Sequence, residues 1–358
     1  MNLFIMDQNY NITNYIDSYK SLEWVSRFYD VGDFVLVTEA TTENIENLKK
    51  GNILQRADTG QMCIIETVEI YLAAGGNTIT AKGRGIENLL ERRIIWEQTT
   101  AKSNETAEDF IRRLITENAI NPTNKERIIP HLTLETRNGF TEIIEKQITG
   151  DKLLTAISAI CKTYSYGYEI TFKNNKLYFN LYKGIDRSYN QEINPYVVFS
   201  DNFDNLTETT YSFDNTNFCN TALIGGEGEG KDRRWAIIES ANESGLNRYE
   251  LFVDAKDISS NNGEIAEAEY KSLLEERGKE KLAETSITEK FDGVIDTYNT
   301  YVYRKDYNLG DIVQIENTIG MKASPRIIEV IESLNENGYK IVPTFEAWEV
   351  ERGATWQY

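Results

Sequence analysis

Residues 181–235 read LYKGIDRSYNQEINPYVVFSDNFDNLTETTYSFDNTNFCNTALIGGEGEGKDRRW, and this stretch divides the chain into two similar parts. A strand runs into a turn at residues 184–188 (GIDRS), short strands follow, and a glycine-rich loop occupies residues 225–230 (GGEGEG). The segments on both sides are rich in short strands separated by turn residues, which is typical of small β-barrels. The sequence therefore predicts one barrel-like unit with an insertion before the stretch and a second barrel-like unit after it.

The glycine-rich loop has the spacing of a phosphate-binding loop but lacks its chemistry. Gly225 to Lys231 fits G-x-x-x-x-G-K, yet Asp232 stands where a Ser or Thr would hold magnesium, and two glutamates lie where phosphates would bind. A phosphate-binding loop must open a helix. Residues 233–239 (RRWAIIE) are β-branched and aromatic and predict a strand instead. We expect a tight or flexible strand connection and no nucleotide cofactor.

Composition excludes several classes of function. The chain has 38 Lys and Arg against 57 Asp and Glu, a net charge of −19. This balance argues against a surface that binds nucleic-acid phosphates, which needs clustered cations, and it disfavours anionic membranes. No apolar run reaches the ~18 residues of a membrane helix. Residues 1–7 (MNLFIMD) lack the basic region and long apolar core of a signal peptide.

Histidine and cysteine are too sparse for common metal or nucleophilic sites. His131 is the single histidine, which excludes multi-histidine metal sites, and its neighbours favour a structural position. Cys63, Cys161 and Cys219 are odd in number and far apart, so they predict free thiols and no disulfide or zinc framework. We therefore expect no catalytic residue, no cofactor and no metal.

The hydrophobic period changes within the insertion. Thr106 or Ser103 can cap a helix whose first turn is acidic, and a second helix is predicted from about residue 149. Asn174 and Asn175 predict a two-residue hairpin turn after it. Farther along, residues 264–284 form a charged amphipathic helix, which Gly278 is expected to bend or break.

Two segments of the chain resemble each other. The first contains residues 51–55 (GNILQ), 63–69 (CIIETVE) and 78–80 (TIT), and the second contains 310–314 (GDIVQ), 326–332 (RIIEVIE) and 340–342 (KIV). Both read as strand, turn, long strand, turn, strand. A chance likeness between β-meanders is the alternative. If the repeat is genuine, Gly51 and Gly310 start equivalent strands, Glu66 and Glu329 are equivalent, and the chain holds two copies of one barrel.

These observations predict a mostly β, α+β fold: two related small β-barrels with an inserted α+β domain. The predicted division is a first barrel at residues 1–97, the insert at 98–190, a second barrel at 191–345 with a helical insertion near 257–285, and an aromatic tail at 346–358. Four aromatic residues near the end would expose much apolar surface on a free tail. We expect them to contact another part of an assembly: Phe345, Trp348, Trp356 and Tyr358.

The chain resembles the tail-hub proteins of long-tailed bacteriophages, a group related to the N-terminal part of tail-associated lysins and to the baseplate hubs of contractile tails. The resemblance covers nearly the full length and depends on the order of five pieces: 184–188 (GIDRS), 219–230 (CNTALIGGEGEG), 252–258 (FVDAKDI), 306–313 (DYNLGDIV) and 326–330 (RIIEV). Together with the repeat, they single out these residues as structural motif positions: Gly51, Gly184, Asp186, Arg187, Gly225, Gly226, Gly228, Gly230, Gly310, Asp311, Arg326 and Glu329.

The resemblance implies a structural role at the tip of a virion tail. It implies a homotrimeric ring with pseudo-six-fold symmetry that joins the tail tube, or a distal tail protein, to a tip fibre or receptor-binding protein. DNA would pass through such a ring without specific binding, and the protein would be made in the cytoplasm of the bacterial host. Many relatives continue into a peptidoglycan-cutting or fibre domain, and none is expected within these 358 residues.

Other functions stay open on the sequence alone. A hub of a phage-tail-like bacteriocin or of a contractile injection system is a close variant of the same hypothesis. A glycan-cleaving enzyme would need two carboxyl groups roughly 5–10 Å apart in a cleft, and no Asp or Glu stands in a recognisable motif. A glycan-binding protein would present exposed aromatic residues on one rim.

Overall fold

The computed structural model describes residues 1–239, 244–285, 288–295, 301–316, 321–346 and 351–352. The first 97 residues form seven strands: β1 Leu3–Met6, β2 Ile12–Ile16, β3 Ser21–Arg27, β4 Asp33–Glu39, β5 Ile53–Arg56, β6 Met62–Tyr71 and β7 Thr78–Gly85. Helix α1, Thr42–Asn47, lies between β4 and β5, and a 3-10 helix, Ile86–Arg92, follows β7. Along β4 and β7, buried side chains alternate with more exposed ones, as expected for strands with one face in the core.

The insert contains helices and short strands in the order β8 Thr99–Thr100, α2 Ala107–Ile115, β9 Leu132–Leu134, β10 Gln147–Ile148, α3 Leu153–Tyr164, β11 Gly167–Lys173 and β12 Lys176–Tyr182. Thr106 caps α2, since its side chain accepts a hydrogen bond from the Asp109 amide. A π-helical turn, Thr116–Ile120, continues α2. Asn174 and Asn175 both have positive φ in the β11–β12 turn, as a two-residue hairpin of this kind requires.

The second half adds β13 Val198–Ser200, β14 Leu206–Asp214, β15 Thr221–Gly225, β16 Trp235–Ile238, β17 Glu250–Asp254, α4 Glu267–Glu284, β18 Thr288–Ile295, β19 Gln314–Glu316, β20 Met321–Ala323, β21 Ile327–Asn335, β22 Gly338–Phe345 and β23 Glu351–Arg352. Short 3-10 turns lie at Lys125–Arg127, Asp201–Phe203, Gly230–Asp232, Gly245–Asn247 and Asn261–Gly263. Within the described ranges, no helix has the length and apolar character needed to cross a bilayer.

Helix α4 continues through Gly278, so the helix is not broken at this residue. A Cβ atom at Gly278 would lie 2.7 Å from the Cδ1 atoms of Ile224 and Ile238. The helix packs here against β15 and β16, and only a residue without a side chain allows that close approach. The cost of glycine inside the helix is therefore offset by packing.

The predicted fold class, mostly β with an α+β architecture, is confirmed. The strands of the two related halves share one eleven-stranded sheet in the order β14-β18-β22-β21-β3-β4-β7-β6-β5-β1-β2. Smaller sheets are β10-β8, β11-β12-β9, β13-β19-β20-β23 and β16-β15-β17. The two related units are thus joined edge to edge, because β21 of the second half pairs with β3 of the first.

Two groups of four strands follow each other in this sheet. We call β3-β4-β7-β6 the first quartet and β14-β18-β22-β21 the second quartet. Both are antiparallel throughout, and both follow the same chain order from one edge to the other. Each also has a β-bulge near the start of its last strand, after Ile65 in β6 and after Ile327 in β21.

Two turns show how the quartets correspond. Gly51 and Gly310 have φ of +89° and +91°, a conformation that glycine adopts easily. The Gly51 amide donates to the Ile65 carbonyl and the Gly310 amide to the Ile327 carbonyl, each at 2.8 Å. The amides of Ile65 and Ile327 donate in return to the residues that follow the two glycines. Gly51 and Gly310 therefore occupy the same position in two turns of the same kind.

The hydrogen bonds correct one predicted equivalence. Because Ile65 corresponds to Ile327, Glu66 corresponds to Ile328, and each is the extra residue of its bulge. The expected match of Glu66 with Glu329 is therefore wrong by one residue. The shared letters Ile-Ile-Glu suggested that match, whereas backbone pairing places Glu329 level with Thr67.

One hydrophobic core spans the first strands and the insert. Ile53 and Ile64 of the first half pack in the same cluster as Phe110 of α2 and Ile157 of α3. The predicted boundary between residues 97 and 98 therefore does not separate two hydrophobic cores. Separate clusters fill the first quartet, the second quartet with its neighbouring strands, and the α4 region.

Candidate assembly interface

The contact between the two quartets, which we call the seam, is formed by β3 and β21. Six antiparallel pairs run from Arg27 opposite Glu329 to Leu22 opposite Leu334. At one end Arg27 is ion-paired with Glu329 (Nε–Oε2 2.6 Å) and with Asp33 of β4 (2.5 Å). The seam thus joins strands from opposite ends of the chain through both backbone hydrogen bonds and charge.

A buried ion cluster lies beneath the seam. The Glu332 side chain is fully buried, and Arg56 is 1% exposed. Arg56 donates to both carboxylate oxygens of Glu332 (2.6 and 3.1 Å), as does Arg304 (3.0 and 2.7 Å). The Tyr339 hydroxyl donates a fifth hydrogen bond at 2.5 Å. Asp58 balances the second guanidinium through its pair with Arg56, at 2.6 Å.

These contacts keep the Glu332 carboxylate ionised. Burial raises the pKa of a carboxyl group, but the hydrogen bonds and charges of Arg56 and Arg304 outweigh it, so the pKa of Glu332 lies below its ordinary value. The pKa of Tyr339 is raised by burial and by its hydrogen bond to this carboxylate, so the hydroxyl keeps its proton and remains a donor. The cluster therefore couples β5, β21 and β22 with all its charges compensated.

Several predicted motif residues meet where the chain leaves the insert, in a contact that we call the joint. Asp311 is 2% exposed, and its carboxylate accepts hydrogen bonds from the Ile185 amide (2.7 Å) and from Arg187 Nε (2.8 Å). A Cβ atom at Gly184 would lie 1.7 Å from the Gly310 carbonyl oxygen. This close backbone approach requires glycine at position 184 and connects residues 184–188 to the Gly310 turn, whose amide donates to Ile327 at the start of β21.

The remaining residues of this joint strengthen the same turn. Arg326 donates to the Gly310 carbonyl at 2.6 Å. Asp186 accepts from the amide and hydroxyl of Ser188, at 2.9 and 2.7 Å. The structure therefore brings together Gly184, Asp186, Arg187, Gly310, Asp311 and Arg326 from two distant segments.

The glycine-rich loop lies apart from both the seam and the joint. It connects β15 to β16, and the Gly226 amide donates to the Arg234 carbonyl at 2.9 Å across the two strands. Gly228 has φ of +92°. The Glu227 amide donates to the Tyr270 hydroxyl of α4 at 2.8 Å, so the loop is held against that helix. Its other members, Gly225 and Gly230, belong to β15 and to the following 3-10 turn.

The expected assembly contact of Phe345 is wrong. This residue is 1% exposed and lies in its own chain's core, with its ring 6.2 Å from that of Phe199. It ends β22 opposite Ile327, so strand alternation turns it inward. The other three residues assigned to this contact, Trp348, Trp356 and Tyr358, lie outside the described residues.

The sequence did not reveal the ion cluster, although one signal was present. Glu332 lies on a strand whose neighbours of the same parity, Val330 and Leu334, are apolar, and strand alternation places all three on one face. A charged residue on an apolar face predicts a buried partner. Nothing in the sequence identifies that partner as Arg56, 276 residues away.

Neither the seam nor the joint has the chemistry of a metal centre. In the part of the chain that the structure describes, no group of three or more His, Cys, Asp or Glu side chains is placed to hold a metal ion. Their charged residues are arranged instead as ion pairs and hydrogen bonds to backbone. What this arrangement can do is hold strand edges together.

Comparisons with known proteins identify the family. The model of the family described as Siphovirus ReqiPepy6 Gp37-like protein matches residues 2–345. No curated protein sequence matches the chain. Among solved structures, the tail protein from Neisseria meningitidis MC58 is similar with 14% identity and a TM-score of 0.59, over 96% of this chain and 95% of that one.

Two prophage proteins show the same likeness. The 43 kDa tail protein of prophage MuSo2 from Shewanella oneidensis has 14% identity and a TM-score of 0.58, over 97% of this chain and 98% of that one. The tail protein gp18 from Listeria monocytogenes EGD-e has 11% identity and a TM-score of 0.55, over 96% and 94%. The resemblance inferred from the sequence is confirmed: the chain belongs to the Siphovirus ReqiPepy6 Gp37-like protein family and has the fold of these phage and prophage tail proteins.

Proposed function

We propose that this chain is a structural hub of a phage tail, in which three copies form a ring with pseudo-six-fold symmetry at the tip. The observation that carries the proposal is the pair of quartets, which repeat the same strand order side by side in one sheet. Three chains supply six such quartets, so a trimer matches a six-fold tube without requiring six chains. Closed cyclic symmetry of this kind uses a contact between unlike surfaces of neighbouring copies.

The outer face of the first quartet suits a passage for DNA. Strand alternation places its apolar residues, such as Trp24 and Leu36, in the core, and turns the intervening residues to the opposite face. That face carries acidic and basic side chains next to one another: Glu23, Asp33, Glu39 and Glu69 with Arg27, Lys82 and Arg84. A surface without clustered cations does not retain DNA, so in the proposed ring the genome slides past.

The partners of the hub follow from this role. One side of the ring would contact the tail tube or a distal tail protein, and the other a tip fibre or receptor-binding protein. The aromatic tail at residues 346–358 is proposed to contact another part of the assembly through Trp348, Trp356 and Tyr358. The division of the chain into two barrel-like units, an insert and this tail is part of the same proposal.

The structure offers little support for glycan binding. Trp235 and Phe252 are exposed aromatic residues with ring centroids 6.4 Å apart, which is the kind of surface that a sugar ring could stack on. The Arg233 guanidinium, however, lies 5.1 Å from the Trp235 ring and 5.5 Å from the Phe252 ring, and it is ion-paired with Asp254. The two rings therefore already have a cationic partner within the chain.

Copy number in assembled tails tests the proposed hub. Tails are purified, the chain is quantified against a tube protein of known stoichiometry, and the tip is imaged by cryo-electron microscopy. We expect three copies at one end of each tail, around a passage whose wall is not basic. A different copy number, a position along the tube, or a basic inner wall would contradict the proposal.

A further inference from the structure

The two quartets differ in what covers their last strand. In the second quartet, the edge of β21 that faces away from β22 is covered along its length. The Asp311 carbonyl accepts from the Ile327 amide, Ile312 pairs with Arg326 just before the strand, and β3 pairs with Glu329 through Leu334. In the first quartet, β5 covers the equivalent beginning of β6, at residues 62–64. The rest of that edge, residues 67–71, has no partner strand among the described residues.

The opposite end of the double quartet, at β14, also lacks a second partner strand in the ranges that the structure describes. Strand β14 corresponds to β3, because each pairs with the second strand of its quartet, β18 and β4. In the described part of the chain, β14 pairs with β18 and with no strand on its other side. Among the described residues, the sheet therefore has one edge without a partner strand that is equivalent to the seam side of β21, and another that is equivalent to the seam side of β3.

The seam fixes how these two edges would meet. In the seam Val25 lies opposite Ile331, and Ile331 corresponds to Glu69 when residues are counted from the two bulges. Val25 corresponds to Ser212, because their partners on the second strand of each quartet, Asp33 and Lys290, occupy equivalent positions. We propose that residues 67–71 of β6 pair antiparallel with β14 of a second copy of this chain, with Glu69 opposite Ser212. This inference rests on the proposed ring and names the surface that closes it.

Exposed apolar side chains support a second copy as the occupant. Ile70 is 43% exposed, and it corresponds to Glu332, which is fully buried beneath the seam. Phe213 is 48% exposed and corresponds to Ser26, which is 6% exposed in the seam. Under the proposed register Phe213 lies opposite Val68. Ile70 is the next residue of β6 after Val68 that faces the core side of the sheet. Pairing would thus bury apolar surface on both edges and satisfy their backbone groups.

The seam also predicts which pairs have close side chains. The Phe28 amide donates to the Ile328 carbonyl at 2.8 Å, so this pair is hydrogen-bonded. Hydrogen-bonded and non-hydrogen-bonded pairs alternate along antiparallel strands, which makes Val25 and Ile331 a non-hydrogen-bonded pair. Glu69 and Ser212 inherit that geometry, with Cβ atoms roughly 4.5–5.5 Å apart, close enough for a cross-strand disulfide after minor adjustment.

Cysteine cross-linking of the full chain tests the register. The variant Glu69→Cys/Ser212→Cys is made in a Cys219→Ser background, because Cys219 is the one native cysteine that is not buried. The control is Tyr71→Cys/Asp214→Cys on the same strands and the same face. Under the proposed register Tyr71 lies opposite Thr210, four residues and about 13 Å along the strand from Asp214. Both variants are oxidised at high protein concentration and compared by non-reducing electrophoresis.

We expect a disulfide-linked species of three chains for Glu69→Cys/Ser212→Cys and little cross-linking for the control. Under reducing conditions, both variants should show the circular dichroism and mass of the parent chain. The edge pairing is overturned if the Glu69→Cys/Ser212→Cys protein has the mass of three chains but forms no disulfide between them. Equal cross-linking of both variants, or a protein that stays monomeric at its highest soluble concentration, also overturns it. The ring itself is judged separately by copy number in tails, and an open ladder of cross-linked chains would support the pairing while contradicting the closed ring.

Discussion

The substitution Glu332→Gln should be strongly destabilising although it changes no volume. The glutamate carboxylate is fully buried and accepts five hydrogen bonds, two each from Arg56 and Arg304 and one from Tyr339. The amide replaces one acceptor oxygen with a donor that faces guanidinium donors. It also leaves two arginines with Asp58 as their one acidic neighbour in the cluster.

The expected loss is about 3–5 kcal/mol of unfolding free energy, the usual cost of removing one partner from a buried ion pair. Urea unfolding followed by tryptophan fluorescence measures it, since Trp24 is buried with the Arg56 guanidinium 5.8 Å from its ring. The matched control is Glu284→Gln, whose ion pair with Lys281 is 45% and 52% exposed. That change should cost less than about 1 kcal/mol.

A double variant separates charge from packing. Glu332→Gln combined with Arg304→Gln leaves Arg56 and Asp58 as a neutral pair. Its loss of stability should be smaller than the sum of the two single losses by about 0.5–3 kcal/mol, the range for residues in one network. A Glu332→Gln protein within 1 kcal/mol of wild type, or strictly additive losses, would show that the cluster does not hold the seam.

Two further predictions concern the joint and the first half of the chain. Gly184→Ala places a Cβ atom 1.7 Å from the Gly310 carbonyl oxygen and should lower the unfolding free energy by about 1–3 kcal/mol. The control, Gly75→Ala, adds a Cβ atom that meets nothing within 4 Å and should change the unfolding free energy by less than about 0.5 kcal/mol. Similar effects of the two alanine substitutions would contradict the packing argument. Glu87 accepts a hydrogen bond from the Ile170 amide, and burial raises the pKa of its carboxyl group from 4.5 to about 7. The stability that the neutral carboxyl contributes is therefore present below pH 4.5 and is lost as the pH rises to 7. Glu87→Gln should therefore stabilise the protein by up to about 3 kcal/mol at pH 8 and change little at pH 4 in thermal unfolding, and an equal effect at both values would show that Glu87 is not the titrating group.

Local features of this fold are readable from the sequence because short-range physics determines them. Thr106 caps α2 since a hydroxyl at this position satisfies a free amide, and the Asn174–Asn175 turn forms because asparagine tolerates positive φ. The repeat was visible because Gly51 and Gly310 are required by two turns of the same kind. The cap and each of these turns depend only on residues that are neighbours along the chain.

Features that depend on distant pairing were not readable in this way. The match of Glu66 with Glu329 failed because letters do not show where a bulge inserts a residue. The expected break of α4 at Gly278 is wrong, because the side chains that make glycine necessary there come from β15 and β16. Phe345 was assigned to an assembly contact, since the sequence does not show that β22 ends after it, facing the core. The seam itself combines edges that no local pattern connects.

The seam also constrains how the protein can be made. Arg27 and Glu329 are 302 residues apart, so at ~5–20 residues per second a ribosome needs roughly 15–60 s to supply the second strand after the first has emerged. Throughout that time the edge of β3 is bare, while the helices and hairpin of the insert can already fold from local contacts. A nascent chain therefore cannot complete the double quartet until β21 has been synthesised. The delay makes translation the period in which this protein is most exposed to aggregation, because an unpaired strand edge can pair with other chains.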